Sequence, residues 1–223
     1  MDFDSAKGAI DGIAGKFSDL IQDSAYVFKS ESISWNPYRP GIDKFLAYAK
    51  EYEKLLADRQ YSFLLIDDSL IQFFYDWENG ELKKARLAYY PKPLKVVDAK
   101  EELLEFLEEA GTDALMDYYF GAVDWMENGV DIVNTSHLRL DFDKDVSSHS
   151  MCHVQLGAIN EVRISSVELI NPVVFWDWLI GQTLNSQYSE ICKARHVQSF
   201  LKYQFSLKSL DTPHNDSLSL SRA

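Results

Sequence analysis

Two neighbouring runs of alternating polar and apolar residues constrain the fold more than any other feature of the sequence. The first run, HLRLDFD at residues 137–143, carries Leu, Leu and Phe at every second position. The second run, SMCHVQL at residues 150–156, carries Cys152, Val154 and Leu156 in the same way. Because successive side chains of a β-strand point to opposite faces of the sheet, each run predicts a strand with one mostly apolar face.

The segment between the two runs, DKDVSSHS, predicts the turn of an antiparallel hairpin. If both apolar faces are buried against helices, the two polar faces must coincide. Two registers preserve this arrangement. In the first, Arg139 lies opposite His153, and in the second, Asp141 lies opposite His153. The pattern favours neither register.

The polar face of the predicted hairpin is expected to be an accessible, concave surface. It collects His137, Arg139, Asp141, Asp143, His153 and Gln155, with His149 at its rim. One solvated face is normal for an antiparallel sheet and needs no function. Such a face usually draws on Thr, Lys, Glu and Ser, whereas clustered His and Asp indicate a functional site.

A divalent metal ion is one cofactor that this cluster could hold. Imidazole nitrogens and carboxylate oxygens are the usual ligands of zinc, manganese and iron. The four candidate ligands are His137, Asp141, His149 and His153. A metal ion bound there would activate water. The spacing H-x3-D-x-D-x5-H-x3-H is not a standard metal-binding signature.

Metal-free acid and base catalysis is the alternative chemistry. In this interpretation His137 and His153 act as base and acid, while Arg139 neutralises charge that develops on a phosphoryl oxygen. The carboxylates of Asp141 and Asp143 then orient the imidazole rings. Cleavage of a phosphodiester such as RNA needs a set of this kind.

The rest of the chain predicts the scaffold of an α+β protein. Apolar residues recur every three or four positions from Ile10 to Ile21, which predicts an amphipathic helix over residues 5–29. From Tyr61 the period changes to that of strands. Asn79-Gly80 is a strong hairpin signal, so three antiparallel strands are expected before residue 91.

The second half of the chain adds further helices. Helical patterns cover residues 96–111 and 112–129, and NPVVFWDWLIGQTLN at residues 171–185 begins a helix with a proline in its first turn. We therefore expect a mostly antiparallel mixed sheet of about six strands, flanked by N-terminal and C-terminal helices. Residues 1–207 are predicted to form a single α+β domain, and residues 208–223 a flexible tail.

The charge balance restricts the partners of the protein. The chain has 35 acidic and 22 basic residues, a formal net charge of −13 that repels phosphate backbones. Nucleic acid would need a partner subunit or a local basic pocket. No apolar run approaches the roughly 20 residues that span a bilayer, and MDFDSAKGAI lacks the features of a signal peptide. We expect a cytoplasmic protein without membrane contact.

The sequence also predicts structural or partner-binding roles for several other residues. Asp67 and Asp68 suit a turn between strands, and Cys152 suits the core. The run FWDWL at residues 175–179 has too many large rings for one buried stripe, so at least one ring should be partly exposed. An exposed tryptophan on an acidic protein indicates a protein partner or an oligomer.

The residues of the hairpin also carry a family resemblance. HLRLDFD, the spaced histidines of SSHSMCHVQLG, the following VRI and an aromatic helix resemble an uncharacterised bacterial family of unknown function. That family has a central H-L-R-x-D-x-D strand followed by a His pair, and the match is strongest over residues 134–180. The resemblance implies importance for the residues of the polar face, His149 included, but no mechanism.

A weaker likeness is to the small toxins of toxin and antitoxin systems, which place an acidic strand before a histidine-rich one. This likeness implies nucleic-acid cleavage in bacterial conflict or phage defence. We therefore expect a hydrolase-like or nuclease-like protein with its His, Asp and Arg site on the hairpin. The alternative is a non-enzymatic interaction subunit of a larger bacterial complex.

Overall fold

The computed structural model describes residues 1–39, 46–96, 130–148, 150–157, 163–166, 168–207 and 210–211. The chain divides into two compact units: Met1–Pro91 with Ser136–Ala223, and Lys92–Thr135. Apart from residue 96, the helices predicted over 96–111 and 112–129 lie outside the described residues, as does most of the predicted tail. The single domain over residues 1–207 therefore stays a prediction.

Five α-helices lie in the described part of the chain. They are α1 (Phe3–Lys16), α2 (Tyr48–Ala57), α3 (Pro172–Thr183), α4 (Asn185–Ile191) and α5 (Arg195–Ser206). At the start of α1, Asp2 Oδ1 accepts a hydrogen bond from Ser5 N at 2.7 Å. At the start of α3, Asn171 Oδ1 accepts from Val173 N at 2.9 Å. Pro172 occupies the first turn of α3, as predicted.

Thirteen strands are described. In chain order they are β1 (Ile21–Ser24), β2 (Tyr26–Lys29), β3 (Ser32–Trp35), β4 (Phe63–Leu65), β5 (Leu70–Glu78), β6 (Glu81–Tyr90), β7 (Leu94–Val96), β8 (Val130–Ile132), β9 (Leu138–Asp143), β10 (Cys152–Leu156), β11 (Arg163–Ser165), β12 (Glu168–Leu169) and β13 (Leu210–Asp211). Two separate pairs, β7 with β8 and β12 with β13, form small two-stranded sheets.

The other nine strands form one sheet in which every described pair is antiparallel. Its order is β1-β4-β5-β6-β9-β10-β11, and the β2–β3 hairpin joins the edge of β5 through β3. The expected α+β class with N-terminal and C-terminal helices is confirmed. The sheet has nine strands instead of about six, in part because β1, β2 and β3 follow α1 directly.

The predicted helix over residues 5–29 is therefore wrong after Lys16. Phe17 leaves helical geometry, with φ −120° and ψ 27°, although its N–H still donates to Ile13 O. A single 3₁₀ turn at Ser18–Leu20 follows. A 3₁₀ turn has three residues per turn, so its apolar residues keep nearly the spacing of the helix. In the sequence, the helix and the turn therefore look like one longer helix.

The predicted hairpin at Asn79-Gly80 is confirmed. β5 and β6 pair over their whole length on either side of this turn. Asn79 has φ 53° and Gly80 has φ 79°, the positive values that a tight hairpin turn requires and that these two residue types tolerate best.

The large sheet is covered on both faces. Leu70 and Ile71 are adjacent in β5 and therefore point to opposite sides. Ile71 packs in a core that includes Trp176 of α3 and residues of α1, α4 and α5. Leu70 packs in a second core with Tyr52 of α2 and Tyr90 of β6. The second face carries the polar side chains of β9 and β10.

No helix in the described ranges combines the length and the apolar character needed to cross a membrane.

Leu140→Ala tests the apolar face of β9. Leu140 is 4% exposed and lies in the core beneath α1 and α3. Its truncation is expected to lower the free energy of unfolding by about 2–5 kcal/mol, through lost burial and a residual cavity. Ile164→Ala in β11, where the side chain is 57% exposed, is the control and should change stability by less than about 0.5 kcal/mol. Urea denaturation measures both, and equal losses would contradict the burial of Leu140.

Candidate functional site

The hairpin of β9 and β10 adopts one of the two predicted registers. Asp141 pairs with His153 and Arg139 with Gln155, while Leu140 pairs with Val154 on the opposite face. The arrangement in which Arg139 would lie opposite His153 is not formed. The polar side chains of both strands therefore share one face of the sheet.

This face is not the accessible concave surface that the sequence predicts. His137 and His153 are both buried, with 1% and 6% of their surfaces exposed. His137 is covered by α2, whose Glu51 and Tyr48 lie against it. The strand pattern shows which side chains share a face but not which helix later covers that face.

Asp141 lies at the centre of the hydrogen bonds on this face. Its Oδ1 accepts from Arg86 Nε of the neighbouring strand β6 at 3.0 Å. Its Oδ2 accepts from Arg139 Nε at 3.0 Å and from Arg139 Nη2 at 2.6 Å. Arg139 Nη2 also donates to Gln155 Oε1 at 3.1 Å. One carboxylate thus orients two guanidinium groups.

The protonation state of Asp141 follows from these partners. Burial by itself favours the neutral acid, but Arg139 and Arg86 outweigh it and hold the pKa of Asp141 below its ordinary value of 3.8. For Arg86, burial acts against the charged form, and the attraction of Asp141 raises its pKa nevertheless. Asp141 therefore stays ionised at neutral pH and is suited to positioning cations instead of carrying protons.

A buried histidine and glutamate pair lies on the same face. His137 Nδ1 is 3.3 Å from Glu51 Oε2, and the two side chains are 0% and 1% exposed. The 3.3 Å approach is not a hydrogen bond: among the described residues, Glu51 Oε1 and both ring nitrogens of His137 have no hydrogen-bond partner. The ring of Tyr90 lies 4.7 Å from the imidazole, and burial raises the pKa of Tyr90 to about 12. Buried polar atoms without partners are rare in folded proteins, so each one calls for an explanation.

A cavity of about 220 Å³ opens beside this pair. Glu51 of α2, Gln72 of β5 and Arg86 of β6 form one part of its lining. Trp35 and Tyr38, which lie at and after the end of β3, form an aromatic part. The cavity thus joins the charged groups of the sheet face to two aromatic rings.

The charges around the cavity differ from those of the whole chain. Among the described lining residues, the three cations are Arg39, Lys54 and Arg86 and the two carboxylates are Glu51 and Asp58, so their formal charges sum to plus one. Arg39 Nη1 donates to Asp58 Oδ1 at 3.0 Å. The net charge of the protein is −13. The described lining is therefore less acidic than the chain as a whole.

The remaining predicted catalytic residues lie further along the hairpin. Asp143 forms an ion pair with Lys84 at 2.9 Å. His153 Nδ1 lies 3.3 Å from Ser150 O. Neither Asp143 nor His153 lines the cavity. Asp141 contacts the cavity residue Arg86, Arg139 contacts Asp141, and His137 contacts the cavity residue Glu51.

In the described ranges, the predicted metal ligands do not come together as a metal-binding cluster. Within them, no three His, Cys, Asp or Glu side chains are close enough together to hold a metal ion. His149, one of the four candidate ligands, lies outside the described residues. The set of His137, Asp141, His149 and His153 stays a prediction.

Residues predicted to have structural roles agree with the described geometry. Asp67 Oδ1 accepts from Ser69 N at 3.0 Å, which is turn chemistry. Cys152 is fully buried, and burial raises the pKa of its thiol to about 11. In the FWDWL run, Trp176 is buried and Trp178 is 50% exposed, which confirms the expectation of one exposed ring.

The sequence interpretation missed Glu51, Gln72 and Arg86. Glu51 had a detectable signal, because it occupies the buried stripe of α2 together with Tyr48, Tyr52 and Leu55, at spacings of three and four. A charged residue on the core side of an amphipathic helix is a candidate for a buried functional group.

Asp141→Asn tests the role of the carboxylate that holds two arginines. At pH 7 the variant should lose about 1–3 kcal/mol of stability, because Arg86 and Arg139 lose a charged acceptor. Since the folded-state pKa of Asp141 is lowered, its contribution is full above the ordinary value of 3.8 and is lost as the pH falls through the folded-state pKa. Urea unfolding from pH 7 to pH 3 should therefore show the difference from wild type shrinking in acid.

Asp145→Asn is the matched control for this experiment. Asp145 is 65% exposed and lies 3.8 Å from Lys83, so its replacement should leave stability nearly unchanged. If Asp141→Asn is as stable as wild type at pH 7, the carboxylate does not stabilise the two arginines.

Comparison with known proteins gives a family and nothing narrower. A search of the curated proteins found no match, and neither did a search of the solved structures. Residues 20–217 match the model of a family described as "Uncharacterized conserved protein (DUF2290)". The expected resemblance to an uncharacterised family is confirmed, while the H-L-R-x-D-x-D hallmark, a bacterial origin and the toxin likeness stay predictions. Because the match covers most of the chain, this protein belongs to the DUF2290 family of uncharacterized conserved proteins.

Proposed function

We propose that this protein is a hydrolase that cleaves a phosphodiester in the cavity beside Arg86. The observation that carries the proposal is the local charge: the formal charges of the described lining residues sum to plus one in a chain of net charge −13. A cationic pocket on an acidic protein attracts a small anion that can enter it. A long polyanion is repelled by the remaining surface, so the proposed substrate is about the size of a nucleotide.

Arg86 is the proposed phosphate-binding residue. Its Nε is held by Asp141 at 3.0 Å, and its side chain lines the cavity with 37% of its surface exposed. In the described part of the chain its hydrogen bond runs through Nε, which leaves the terminal N–H groups for an anionic ligand. A guanidinium whose direction is already set loses little entropy when it binds a phosphoryl oxygen.

Arg139 and Asp141 are proposed as positioning residues. Arg139 is 16% exposed and directs its Nε and Nη2 at Asp141, not at the cavity. The proposal thus moves the neutralisation of phosphoryl charge from Arg139 to Arg86. Asp141 shared between two arginines leaves one positive charge uncompensated, which favours an anion near Arg86.

Glu51 is proposed as the residue that accepts a proton from the attacking water. It lines the cavity, and its Oε2 is 3.3 Å from His137 Nδ1. His137 lies behind it and limits the positions that the carboxylate can take. As the water oxygen bonds to phosphorus, the ester P–O bond breaks, and the proton that Glu51 accepted passes to the departing oxygen. The proposal uses His137 in preference to His153, because His137 lies beside Glu51 and His153 is not among the described residues that line the cavity.

A non-enzymatic role as an interaction subunit is the second candidate. Trp178 on α3 and Tyr203 on α5 are 50% and 61% exposed, and exposed aromatic residues commonly anchor protein partners. The broader proposal of a bacterial toxin or a phage-defence component rests on the sequence resemblance. Growth arrest on expression, or loss of phage resistance on deletion, would test it.

Arg86→Ala tests the proposed phosphate site. Wild-type protein is expected to hydrolyse bis(p-nitrophenyl) phosphate or dinucleoside monophosphates, measured by released nitrophenol or by chromatography. Arg86→Ala should lower kcat/KM by roughly 100- to 1000-fold, because a preorganised donor to the phosphoryl oxygen is lost. Arg86→Lys should retain part of the activity, since it keeps the charge but not the geometry.

Lys83→Ala is the matched control, because Lys83 pairs with Glu78 at 2.7 Å on the same strand as Arg86 and does not line the cavity. It should leave kcat/KM unchanged. Absence of phosphodiester hydrolysis by the wild-type protein, with and without added divalent metal ions, would refute the proposed function.

Chelation distinguishes the two predicted chemistries. Hydrolysis should persist in excess EDTA, because the guanidinium groups on both oxygens of Asp141 disfavour a divalent cation there. Activity is measured before chelation, after it, and after resupply of zinc or manganese, with the metal content of the protein determined in parallel. Loss of activity that zinc or manganese restores would instead support the predicted metal site with His149.

A further inference from the structure

We infer that the cavity binds a nucleobase next to Arg86, so that the substrate is a nucleotide and not a simple phosphodiester. The inference rests on the proposed function for the phosphate position at Arg86. It adds a second subsite, formed by Tyr38 and Gln72, that recognises a flat ring with N–H donors. Three observations on the same cavity lead to it.

The first observation is an aromatic surface of fixed orientation. Tyr38 stacks on Phe74, with ring centroids 5.2 Å apart and an interplanar angle of 16°. Trp35 packs edge-on against Tyr38, at 5.4 Å and 70°, and its Nε1 donates to Gln60 Oε1 at 3.0 Å. Tyr38 lines the cavity and is 38% exposed. A flat ligand ring can therefore stack there without rearranging the wall.

The second observation is a buried hydrogen-bond acceptor, the side-chain oxygen of Gln72, whose orientation is set by a hydrogen bond of the same amide. Gln72 Nε2 donates to Gln60 O at 2.6 Å, which assigns the other amide atom as the oxygen. Gln72 is 2% exposed and lines the cavity, and its Oε1 has no donor among the described residues. The side chain therefore offers an unpaired acceptor, which suits a ligand that carries N–H groups on a ring edge, as nucleobases do.

The third observation is the spacing of these groups. Phe74, on which Tyr38 stacks, pairs directly with Arg86 across β5 and β6. Cross-strand partners have Cβ atoms about 5 Å apart, and Gln72 lies two residues from Phe74 on the same face of β5. The stacking ring, the amide acceptor and the guanidinium therefore lie within the length of one nucleotide.

Binding of nucleoside monophosphates tests the inference without turnover. Isothermal titration calorimetry on the full-length protein compares AMP, GMP, CMP and UMP with ribose 5-phosphate and inorganic phosphate. At least one nucleotide should bind roughly 5- to 150-fold more tightly than ribose 5-phosphate, the range that stacking of one base provides. Equal affinities for all phosphate compounds would overturn the inference.

Variants assign the extra affinity to the proposed subsite. Tyr38→Ala should reduce nucleotide affinity to the level of ribose 5-phosphate and leave ribose 5-phosphate binding unchanged, whereas Tyr38→Phe should bind like wild type. Arg86→Ala should weaken nucleotides and ribose 5-phosphate by the same factor. Tyr203→Ala, which removes a 61% exposed tyrosine of α5, is the matched control and should change nothing. An unchanged nucleotide preference in Tyr38→Ala would overturn the assignment to this cavity, and circular dichroism checks that each variant is folded.

The outcomes separate this inference from the proposed function. Nucleotide-selective binding without any phosphodiester hydrolysis would overturn the hydrolase and keep the base subsite. Hydrolysis of base-free phosphodiesters as efficiently as dinucleotides would overturn the subsite and keep the hydrolase. Absence of binding by every phosphate compound would overturn both.

Discussion

Burial of a charged sheet face is the constraint on which the rest of the structure depends. β9 carries Arg139 and Asp141 on the side that α2 covers, and charges removed from water are destabilising unless they are paired. Asp141 meets this requirement by accepting hydrogen bonds from Arg139 on its own strand and from Arg86 on β6. The pairing ties the hairpin to the centre of the sheet. It also fixes the direction of Arg86, which is the member of the cluster that lines the cavity.

The same pairing explains why an acidic chain can present a positive site. Two guanidinium groups around one carboxylate leave an uncompensated positive charge, and the partly enclosed cavity separates it from the acidic surface. Interactions between charges strengthen where water is excluded, so one fixed arginine in such a place outweighs several exposed carboxylates at a distance. The charge balance of the whole chain excludes a general affinity for polyanions, but it does not exclude a small anion in this cavity.

The sequence predicted the fold class and which side chains of the hairpin share a face. Where its predictions were wrong, there is a physical reason. Strict alternation over residues 137–143 leaves only one way to bury Leu140, so Asp141 had to face the other side. The apolar stripe from Ile10 to Leu20 was read as one helix because a 3₁₀ turn preserves its spacing. The register and the covering helix depend on contacts between segments far apart in the chain. Glu51 and Arg86 come to the site from such segments. A local sequence pattern does not show that they line the same cavity.

Not every buried polar atom without a hydrogen-bond partner is evidence of function. The surroundings of each atom distinguish those of the apolar core from those beside the cavity. Tyr75 Oη and Trp176 Nε1 also lack partners among the described residues, but both side chains are fully buried in the apolar core and neither lines the cavity. For these two, the large apolar surface that each ring buries offsets the loss of one hydrogen bond. Glu51 and Gln72 bury little apolar surface, so no comparable gain offsets their unpaired oxygens. Both residues line the cavity, where the proposed ligand, which donates hydrogen bonds, would satisfy acceptors that the folded chain leaves open.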